Sequence, residues 1–353
     1  MKTDAAGAER NPTPGGFRWL VLATGLTTFG LIVLGGVVRT TESGDACPDW
    51  PLCNGELIPA FDSAVLIEFS HRLLASIVGI LVLAVAVWAW RSQRGRPLIV
   101  WGATAALLLV GFQIVLGGLT VLNDLPPGMV TAHLALAATL LATLGGLAVV
   151  SFESGREGSE PRSDVPAAER SRLESFRNLA LVAALATFAL MLSGSYVSGS
   201  GAGLAFSDWP LFNGSLLPGG GRLAVIHATH RLAAAAIGLF IAYVAVRAWR
   251  DRRALGLLAA GSMLALGLYV AQIFVGASNV WTLLQPAAGA AHLGLAVAIW
   301  TTLVVLGVAA QVVAHPISER AATYERRGPG VTARGRETPV GAAPGTLSSG
   351  GSS

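Results

Sequence analysis

The chain has 353 residues, of which 53% are hydrophobic and only 12% are charged, and its mean hydropathy is +0.62. This composition excludes a water-soluble protein, a disordered chain, collagen and a nucleic-acid-binding domain, and it predicts an integral membrane protein. The 43 glycines suit closely packed helices, whereas the uncharged segments are too long for the strands of an outer-membrane barrel. We therefore expect an all-α integral membrane fold, in which the net charge of +4 reflects topology rather than a basic binding surface.

Eight membrane-spanning helices are predicted from the segments that lack charged residues, because about 20 apolar residues cross the hydrocarbon core of a bilayer. The longest uncharged stretch, residues 254–318, is divided into two spans by Gln285-Pro286, since proline ends a helix. The predicted spans lie between Arg18 and Arg39, over about residues 65–90, between Arg96 and Asp124, between Asp124 and Glu153, after Arg177, over about residues 223–246, and on the two sides of the Gln285-Pro286 break.

The basic residues set the predicted orientation of these spans. Of the 24 Lys and Arg residues, 20 fall in the two tails and in alternate loops, and only Arg39, Arg72, Arg222 and Arg231 fall on the other side. Basic residues accumulate on the cytoplasmic side of membrane proteins. We therefore expect a multi-pass protein of the cell (plasma) membrane, with the N- and C-termini in the cytoplasm and the loop that carries the cysteines outside.

An internal repeat becomes visible when the chain is aligned with itself at a shift of 159 residues. The segment Asp49-Trp50-Pro51-Leu52 then falls on an identical segment at 208–211, and ten of the sixteen positions at 44–59 match their partners. Each repeat holds four spans, an even number, so the two repeats are expected to insert with the same orientation as two four-helix bundles. The predicted organisation is a cytoplasmic tail at 1–16, a first repeat at 17–151, a cytoplasmic linker at 152–176, a second repeat at 177–311 and a flexible cytoplasmic tail at 312–353.

Four histidines within the predicted spans occupy matching positions of the two repeats. His71 and His133 lie at similar depth, roughly 12 and 9 Å below the outer surface at the helical rise, and the shift places His230 and His292 in the same relation. A histidine inside a bilayer marks a functional site or hydrogen-bonds a neighbouring helix, and both interpretations are open for each one alone. Two inward imidazoles from facing helices are the arrangement that ligates a haem iron from both sides, whereas zinc requires three or four ligands.

Polar residues near these histidines also recur in both repeats. Arg72 and Arg231 immediately follow His71 and His230, and either pair with haem propionates or extend from a helix end towards the membrane surface. Two glutamines midway along the third and seventh spans either contact a porphyrin or hydrogen-bond a neighbouring helix. They are Gln113 and Gln272.

The two cysteines, Cys47 and Cys53, lie in the loop between the first two spans, on the predicted outer and oxidising side. That compartment favours a disulfide over two reduced thiols, and two thiolates alone complete no tetrahedral metal site. Their counterparts in the second repeat are Phe206 and Phe212, so the shared loop does not require the pair. A structural role and a redox role for the cysteines are both open.

Glu68 is a second difference between the repeats. It lies one helical turn before His71 at membrane depth, where an unpaired carboxylate is costly, and its counterpart is His227. Glu68 is interpreted either as a structural partner of Arg72 or as a proton-transfer group beside a haem. His315 lies at a membrane exit beside Pro316, where an interfacial role is expected.

Together these motifs resemble the haem A synthase family over about residues 17–311. The segments that carry the resemblance are Cys-Pro-Asp-Trp-Pro-Leu-Cys-Asn-Gly at 47–55, Glu-Phe-Ser-His-Arg at 68–72, the span with His133, His-Arg at 230–231 and the span with His292. The resemblance implies an eight-helix membrane enzyme that oxidises a methyl group of haem O to a formyl group, giving haem A for terminal oxidase assembly.

The resemblance also implies roles for the individual residues. His71 and His133 would hold the substrate haem O, His230 and His292 would ligate a haem b, Glu68 would assist catalysis, and Cys47 and Cys53 would form a disulfide. The expected partners are haem O, delivered by the farnesyltransferase that produces it, an electron-transfer protein and membrane lipid, but no nucleic acid. Whether the chain forms a homo-oligomer is left open.

Two other classes of protein compete with this interpretation. A di-haem membrane electron-transfer cytochrome would keep both haems permanently and would need no carboxylate in one half alone. A secondary transporter is also built from repeats, but it usually has broken helices and charged residues at the midplane, whereas these histidines lie towards one surface.

Overall fold

The computed structural model describes residues 13–60, 62–155 and 165–316. Within them, eight helices are long and apolar enough to cross a membrane, which confirms the predicted all-α membrane fold. These spans are α1 (Gly15–Thr40), α2 (Ser63–Ser92), α3 (Pro97–Leu122), α4 (Pro127–Ser154), α5 (Ala167–Gly199), α6 (Arg222–Arg250), α8 (Leu257–Trp281) and α9 (Pro286–Ala314). A single short turn, α7 (Arg252–Leu255), connects α6 to α8, and a 3₁₀ turn, Ala202–Leu204, follows α5.

Local sequence explains where several helices begin. Pro97, Pro127 and Pro286 open α3, α4 and α9, in the first turn, where the missing N–H of proline costs no helical hydrogen bond. At the start of α2, the Asp62 carboxylate accepts a hydrogen bond from the backbone N–H of Val65 at 2.8 Å. The break between the last two spans therefore lies at Gln285-Pro286, as predicted.

The linker predicted at 152–176 is wrong in its extent, because α4 continues to Ser154 and α5 already begins at Ala167. The first three turns of α5 make polar contacts with the end of α9 that hydropathy does not reveal. Glu174 accepts a hydrogen bond from His315 at 2.8 Å, and Arg177 donates to Gln311. Most of the predicted tails at 1–16 and 312–353, and residues 156–164 of the linker, lie outside the described residues.

The eight spans pack as two rings of four helices. In the first ring α1 contacts α2 and α4, and α3 contacts the same two helices; in the second ring α5 contacts α6 and α9, and α8 contacts those two. The rings meet where α9 contacts α1 and α4 and where α4 contacts α5. This packing is compatible with the predicted repeat of parallel four-helix bundles, which stays a prediction.

Small residues let helices of the two rings approach closely. A side chain at Gly36 of α1 would have its Cβ 2.8 Å from a methyl carbon of Leu293 on α9, and one at Gly294 would lie 3.3 Å from Val33 on α1. Further along, Gly145 of α4 faces Val305 of α9 at the same distance of 3.3 Å. Such contacts replace the hydrophobic effect as the source of helix association in lipid.

The loops after α1 and α5, at 41–60 and 200–221, lie at the same end of the molecule, because Thr40 at the end of α1 contacts Pro286 and Gly199 at the end of α5 contacts Pro127. We call this end the loop side. In the first loop the Asp49 carboxylate accepts hydrogen bonds from the backbone N–H groups of Asn54 and Gly55, at 2.6 and 2.8 Å. Asp208 makes the equivalent bonds in the second loop, at 2.8 and 2.6 Å. Gly55 has a φ of +77°, in the left-handed region where glycine avoids steric strain.

Candidate functional site

The four predicted histidines lie on helices that are diagonal to each other within a ring. His71 of α2 and His133 of α4 occupy the first ring, and His230 of α6 and His292 of α9 occupy the second. Each imidazole is half-buried. Within each pair the two imidazoles are close enough to interact electrostatically. The structure therefore brings the histidines together in the two pairs that the sequence predicts.

Each of these imidazoles lies against a glycine of the preceding span, a contact that sequence reasoning missed. The four glycines show the same shift of 159 residues as the histidines that they contact. A Cβ added to the glycine would lie 2.9–3.0 Å from the histidine Cε1 atom in every case. The glycine–histidine pairs are Gly35 with His71, Gly117 with His133, Gly194 with His230, and Gly276 with His292.

Hydrogen bonds fix the imidazole of His230. The Ser193 hydroxyl lies 2.8 Å from Nδ1 of His230 and also 2.8 Å from the carbonyl oxygen of Leu190. Because the hydroxyl has one proton and donates it to the carbonyl, its oxygen accepts from Nδ1–H of the imidazole. That tautomer leaves the lone pair of His230 Nε2 for a metal ligand.

Two glutamines contact a histidine on the neighbouring helix, one in each ring. The amide nitrogen of Gln113 lies 3.0 Å from Nε2 of His133 and donates to the His133 carbonyl oxygen at 3.2 Å. In the second ring the matching Gln272 donates to the carbonyl oxygen of His292 at 2.9 Å. The glutamines are thus helix–helix hydrogen-bond partners, one of the two roles predicted for them.

The set of side-chain donors tests whether these residues suit a haem iron. The Nδ1 atoms of His71, His133 and His292 are buried without a hydrogen-bond partner, so no hydrogen bond at Nδ1 fixes their tautomers as Ser193 fixes that of His230. No group of three or more His, Cys, Asp or Glu residues within the described residues could hold a metal ion. Two half-buried imidazoles per ring, with no third protein ligand, are the donor set that a bis-histidine haem needs, so the residues fit such a group.

Glu68 and Arg72 form a buried ion pair on the loop side of the first ring. Glu68 is only 4% exposed, and its Oε1 accepts a hydrogen bond from Nε of Arg72 at 2.8 Å. The other guanidinium nitrogens of Arg72 donate to loop carbonyl oxygens, Nη1 to Asp49 and Leu52 at 2.7 Å and Nη2 to Cys47 at 2.6 Å. Arg72 thereby joins the buried carboxylate to the cysteine loop.

The second ring repeats this arrangement without a carboxylate. Nε of Arg231 donates to Nε2 of His227 at 3.0 Å, and Nη1 donates to the carbonyl oxygens of Asp208 and Leu211 at 3.0 and 2.9 Å. His227 therefore replaces Glu68 as the hydrogen-bond acceptor, a role that the sequence did not assign. Nη2 of Arg231 is buried without a partner.

The predicted disulfide is confirmed, since Cys47 is bonded to Cys53 and both are buried. In the second loop, the guanidinium of Arg231 lies 5.3 Å from the ring centre of Phe206 and 5.7 Å from that of Phe212. The cysteine and phenylalanine pairs thus occupy the same place in the two loops, and a covalent bond in one corresponds to aromatic packing in the other.

The side chain of Trp50 extends from the cysteine loop to α3. Its indole lies where a side chain at Gly118 of α3 would be, with a distance of 2.8 Å to an added Cβ. Gly118 is next to Gly117, which contacts His133. His315, by contrast, pairs with Glu174 at the other end of the spans and is not part of either site.

These features define a multi-pass helical membrane protein with two paired-imidazole sites, one of which contains a buried carboxylate. The chain belongs to the COX15-CtaA family, described as cytochrome oxidase assembly protein, whose model matches residues 17–65 and 60–304. It is 30% identical over 262 residues to the "Heme A synthase" of Alkalihalophilus pseudofirmus, covering 73% of this chain and 86% of that one. It is also 31% identical over 276 residues to the "Heme A synthase" of Symbiobacterium thermophilum, covering 77% and 88%.

Proposed function

We propose that this protein is a haem A synthase, an oxidoreductase that converts haem O to haem A by oxidising a methyl substituent of the porphyrin to a formyl group. The observation that carries the proposal is that only one of the two histidine pairs has a buried carboxylate beside it, Glu68. The names of the relatives agree with it. An electron carrier with two equivalent haems has no use for this difference.

In this proposal the first ring holds the substrate. His71 and His133 would ligate the iron of haem O, and Glu68, one helical turn before His71 on the same helix, would be the carboxylate available to the reacting methyl group. His133 Nε2 has the amide of Gln113 as a neighbour at 3.0 Å, so the amide moves aside when substrate enters. A weakly held ligand suits a haem that must arrive and leave.

The second ring would hold a haem b, with His230 and His292 as the residues that ligate it. The hydrogen bond from His230 Nδ1 to Ser193 supports this assignment, because it fixes the tautomer in which the lone pair of Nε2 is available to ligate iron. The matching position in the first repeat is Leu34, which has no hydroxyl. A haem b bound here supplies a route for electrons. Nη2 of Arg231, buried without a partner, remains available to a propionate, whereas the nitrogens of Arg72 already donate to the loop and to Glu68.

Glu68 manages protons in this scheme. With water as the source of the oxygen, oxidation of a methyl to a formyl group releases four protons and four electrons, two of each at the alcohol stage and two of each at the geminal diol stage, and the diol then loses water. Of the two carboxylate oxygens, Oε1 accepts from Arg72, and within the described residues Oε2 has no hydrogen-bond partner. Oε2 is therefore the atom that takes a proton, while Arg72 holds the carboxylate in place.

The cellular setting follows from the charges and the loop. We place both termini in the cytoplasm and the loop side outside the plasma membrane, because 20 of the 24 Lys and Arg residues fall, by sequence, in the two tails and in the alternate loops that do not include the cysteine loop. Haem O then arrives from the farnesyltransferase that produces it, and an electron-transfer partner removes the electrons.

The decisive experiment is expression in a host that makes haem O but no haem A, followed by pigment extraction and chromatography. Haem A is expected with the wild-type chain and not with His71→Ala, and haem b should copurify with both. Bound haem b without any haem A, from well-expressed protein, would instead support a di-haem electron carrier.

A further inference from the structure

We infer that Gly35, Gly117, Gly194 and Gly276 are positioning residues, which set the place of the four imidazoles by lacking a side chain. The inference rests on the proposed function, because it concerns residues that hold haem ligands. All four sites share one geometry. In each, Cε1 of the histidine lies 2.9–3.0 Å from the point where a Cβ of the glycine would be, and Nδ1 and Nε2 lie 3.4–3.9 Å from it.

These distances leave no room for a methyl group. Carbon atoms attract best at about 3.5–4.0 Å, so a methyl carbon at 3.0 Å from Cε1 is repelled. The atom that would have to move belongs to a rigid ring attached near the helix backbone, with no flexible end. An alanine at any of the four positions therefore displaces the imidazole, or separates the two helices, by a few tenths of an ångström.

Either response moves Nε2, the nitrogen adjacent to Cε1. A bond to iron requires the lone pair of Nε2 to point along the haem normal, so a rotated imidazole ligates poorly. Helix–helix packing elsewhere is not the reason for these glycines, because the neighbour of each is the histidine ring itself. Their recurrence at the 159-residue shift links them to the ligands rather than to general packing.

The same helices contain glycines that serve as matched controls. Nothing lies within 4 Å of an added Cβ at Gly30 of α1, Gly111 of α3 or Gly267 of α8. Alanine favours a helix by roughly 1 kcal/mol over glycine, so these control variants should fold as well as wild type or better.

The test compares Gly276→Ala with Gly267→Ala on α8, each purified with its bound haem b. Electron paramagnetic resonance and absorption spectra report whether two imidazoles ligate the iron, independently of catalysis. We expect Gly267→Ala to keep the low-spin signal of wild type and Gly276→Ala to lose it, with a high-spin signal or loss of haem. In the first ring, Gly117→Ala should keep the haem b spectrum and lower haem A production by up to about a hundredfold, unlike Gly111→Ala.

Two results would overturn the inference. One is an unchanged low-spin spectrum in folded Gly276→Ala. The other result concerns the case in which Gly276→Ala does not fold. The double variant Gly276→Ala with His292→Ala removes the imidazole that the methyl group contacts, so this double variant should fold. If the double variant also fails to fold, the proposed contact is contradicted. Wild-type protein that contains no low-spin haem would instead overturn the proposed haem b site itself.

Discussion

Nε of Arg72 donates to Oε1 of Glu68 at 2.8 Å, while the other nitrogens of the same guanidinium donate to three backbone carbonyls of the cysteine loop. The side chains of Arg72 and Glu68 are 16% and 5% exposed. One residue thus fixes both the position of the buried carboxylate and the place of the loop that covers it.

Loss of Arg72 should therefore destabilise the protein strongly. Removing one partner of a buried pair leaves an uncompensated charge and typically costs about 3–5 kcal/mol. We expect Arg72→Ala to lower the thermal unfolding temperature of the purified protein, and the double variant with Glu68→Gln to recover part of the loss. Equal losses for Arg72→Ala and the double variant would show that the ion pair contributes little.

Glu68→Gln should separate catalysis from folding. The amide keeps the size of the side chain and an acceptor oxygen for Arg72, but it cannot exchange a proton. General acid or base assistance is worth roughly a hundredfold to ten-thousandfold in rate, so we expect folded protein with bound haem b that makes little haem A or accumulates the alcohol. Chromatography of extracted pigments measures both. The matched control is His227→Gln in the second ring, a variant that should still make haem A. A normal yield of haem A from Glu68→Gln would show that the carboxylate serves packing and not catalysis.

The two histidine pairs should respond differently to substitution, because one holds a substrate and the other a resident haem. His230→Ala and His292→Ala are expected to lower the haem b that copurifies. His71→Ala and His133→Ala are expected to stop turnover and to spare most of that haem. Measurement of haem b per protein in all four variants tests this, and an equal loss from each would favour the electron-carrier alternative.

The predicted membrane orientation is testable through the two cysteines, which are the only ones in the chain. Both are buried and joined to each other. A membrane-impermeant thiol reagent applied to intact cells should therefore label them only after reduction. Labelling that requires permeabilised cells would place the loop in the cytoplasm and reverse the topology.

The Asp49 turn should make the cysteine loop sensitive to acid. Hydrogen bonds from the backbone N–H groups of Gly55 and Asn54 hold the pKa of the Asp49 carboxyl below its ordinary value of 3.8. Because the pKa is lowered in the folded protein, the ionised carboxylate stabilises the folded loop at any pH above the ordinary pKa. This stabilisation is lost as the pH falls through the lower pKa of the folded protein. We expect the rate at which a phosphine reductant opens the disulfide, divided by its rate with a small-molecule disulfide at the same pH, to be higher at pH 3 than at pH 6.

Substitution of Asp49 isolates this effect. In Asp49→Asn the disulfide should open faster at pH 6 as well, and the rate should depend less on pH. Asp208→Asn changes the equivalent turn in the loop that has no disulfide, so it is expected to leave the reduction rate unchanged. Identical pH profiles for Asp49→Asn and wild type would remove Asp49 as the source of the acid sensitivity.

The sequence predicts the spans well because every backbone polar group must be satisfied within lipid, which leaves few alternatives to a helix. The break at Gln285-Pro286 is an example. The start of α5 at Ala167 was missed, since charged residues at a helix end resemble a connector when only hydropathy is considered. Glu174 and Arg177, inside this early part of α5, contact α9 through hydrogen bonds that hydropathy does not indicate.

For the site, titratable side chains could be predicted and backbone or glycine contributions could not. His71, His133, Glu68 and the cysteines are conspicuous at membrane depth or in the outer loop. The acceptors of Arg72 are carbonyl oxygens, which every residue has, so no side-chain pattern indicates them. The role of His227 was predictable in principle, because it precedes Arg231 by four residues as Glu68 precedes Arg72.

Gly36 and Leu293 place the two histidine sites against each other. Gly36 follows Gly35, which receives the imidazole of His71, and Leu293 follows His292. Elsewhere between the two rings, the hydroxyls of Thr131 and Ser195 are 2.9 Å apart. Thr131 lies two residues before His133, and Ser195 directly follows Gly194. Residues next in sequence to both histidine pairs therefore contact each other at two places, so a bulkier side chain at Gly36 would displace helices of both rings at once.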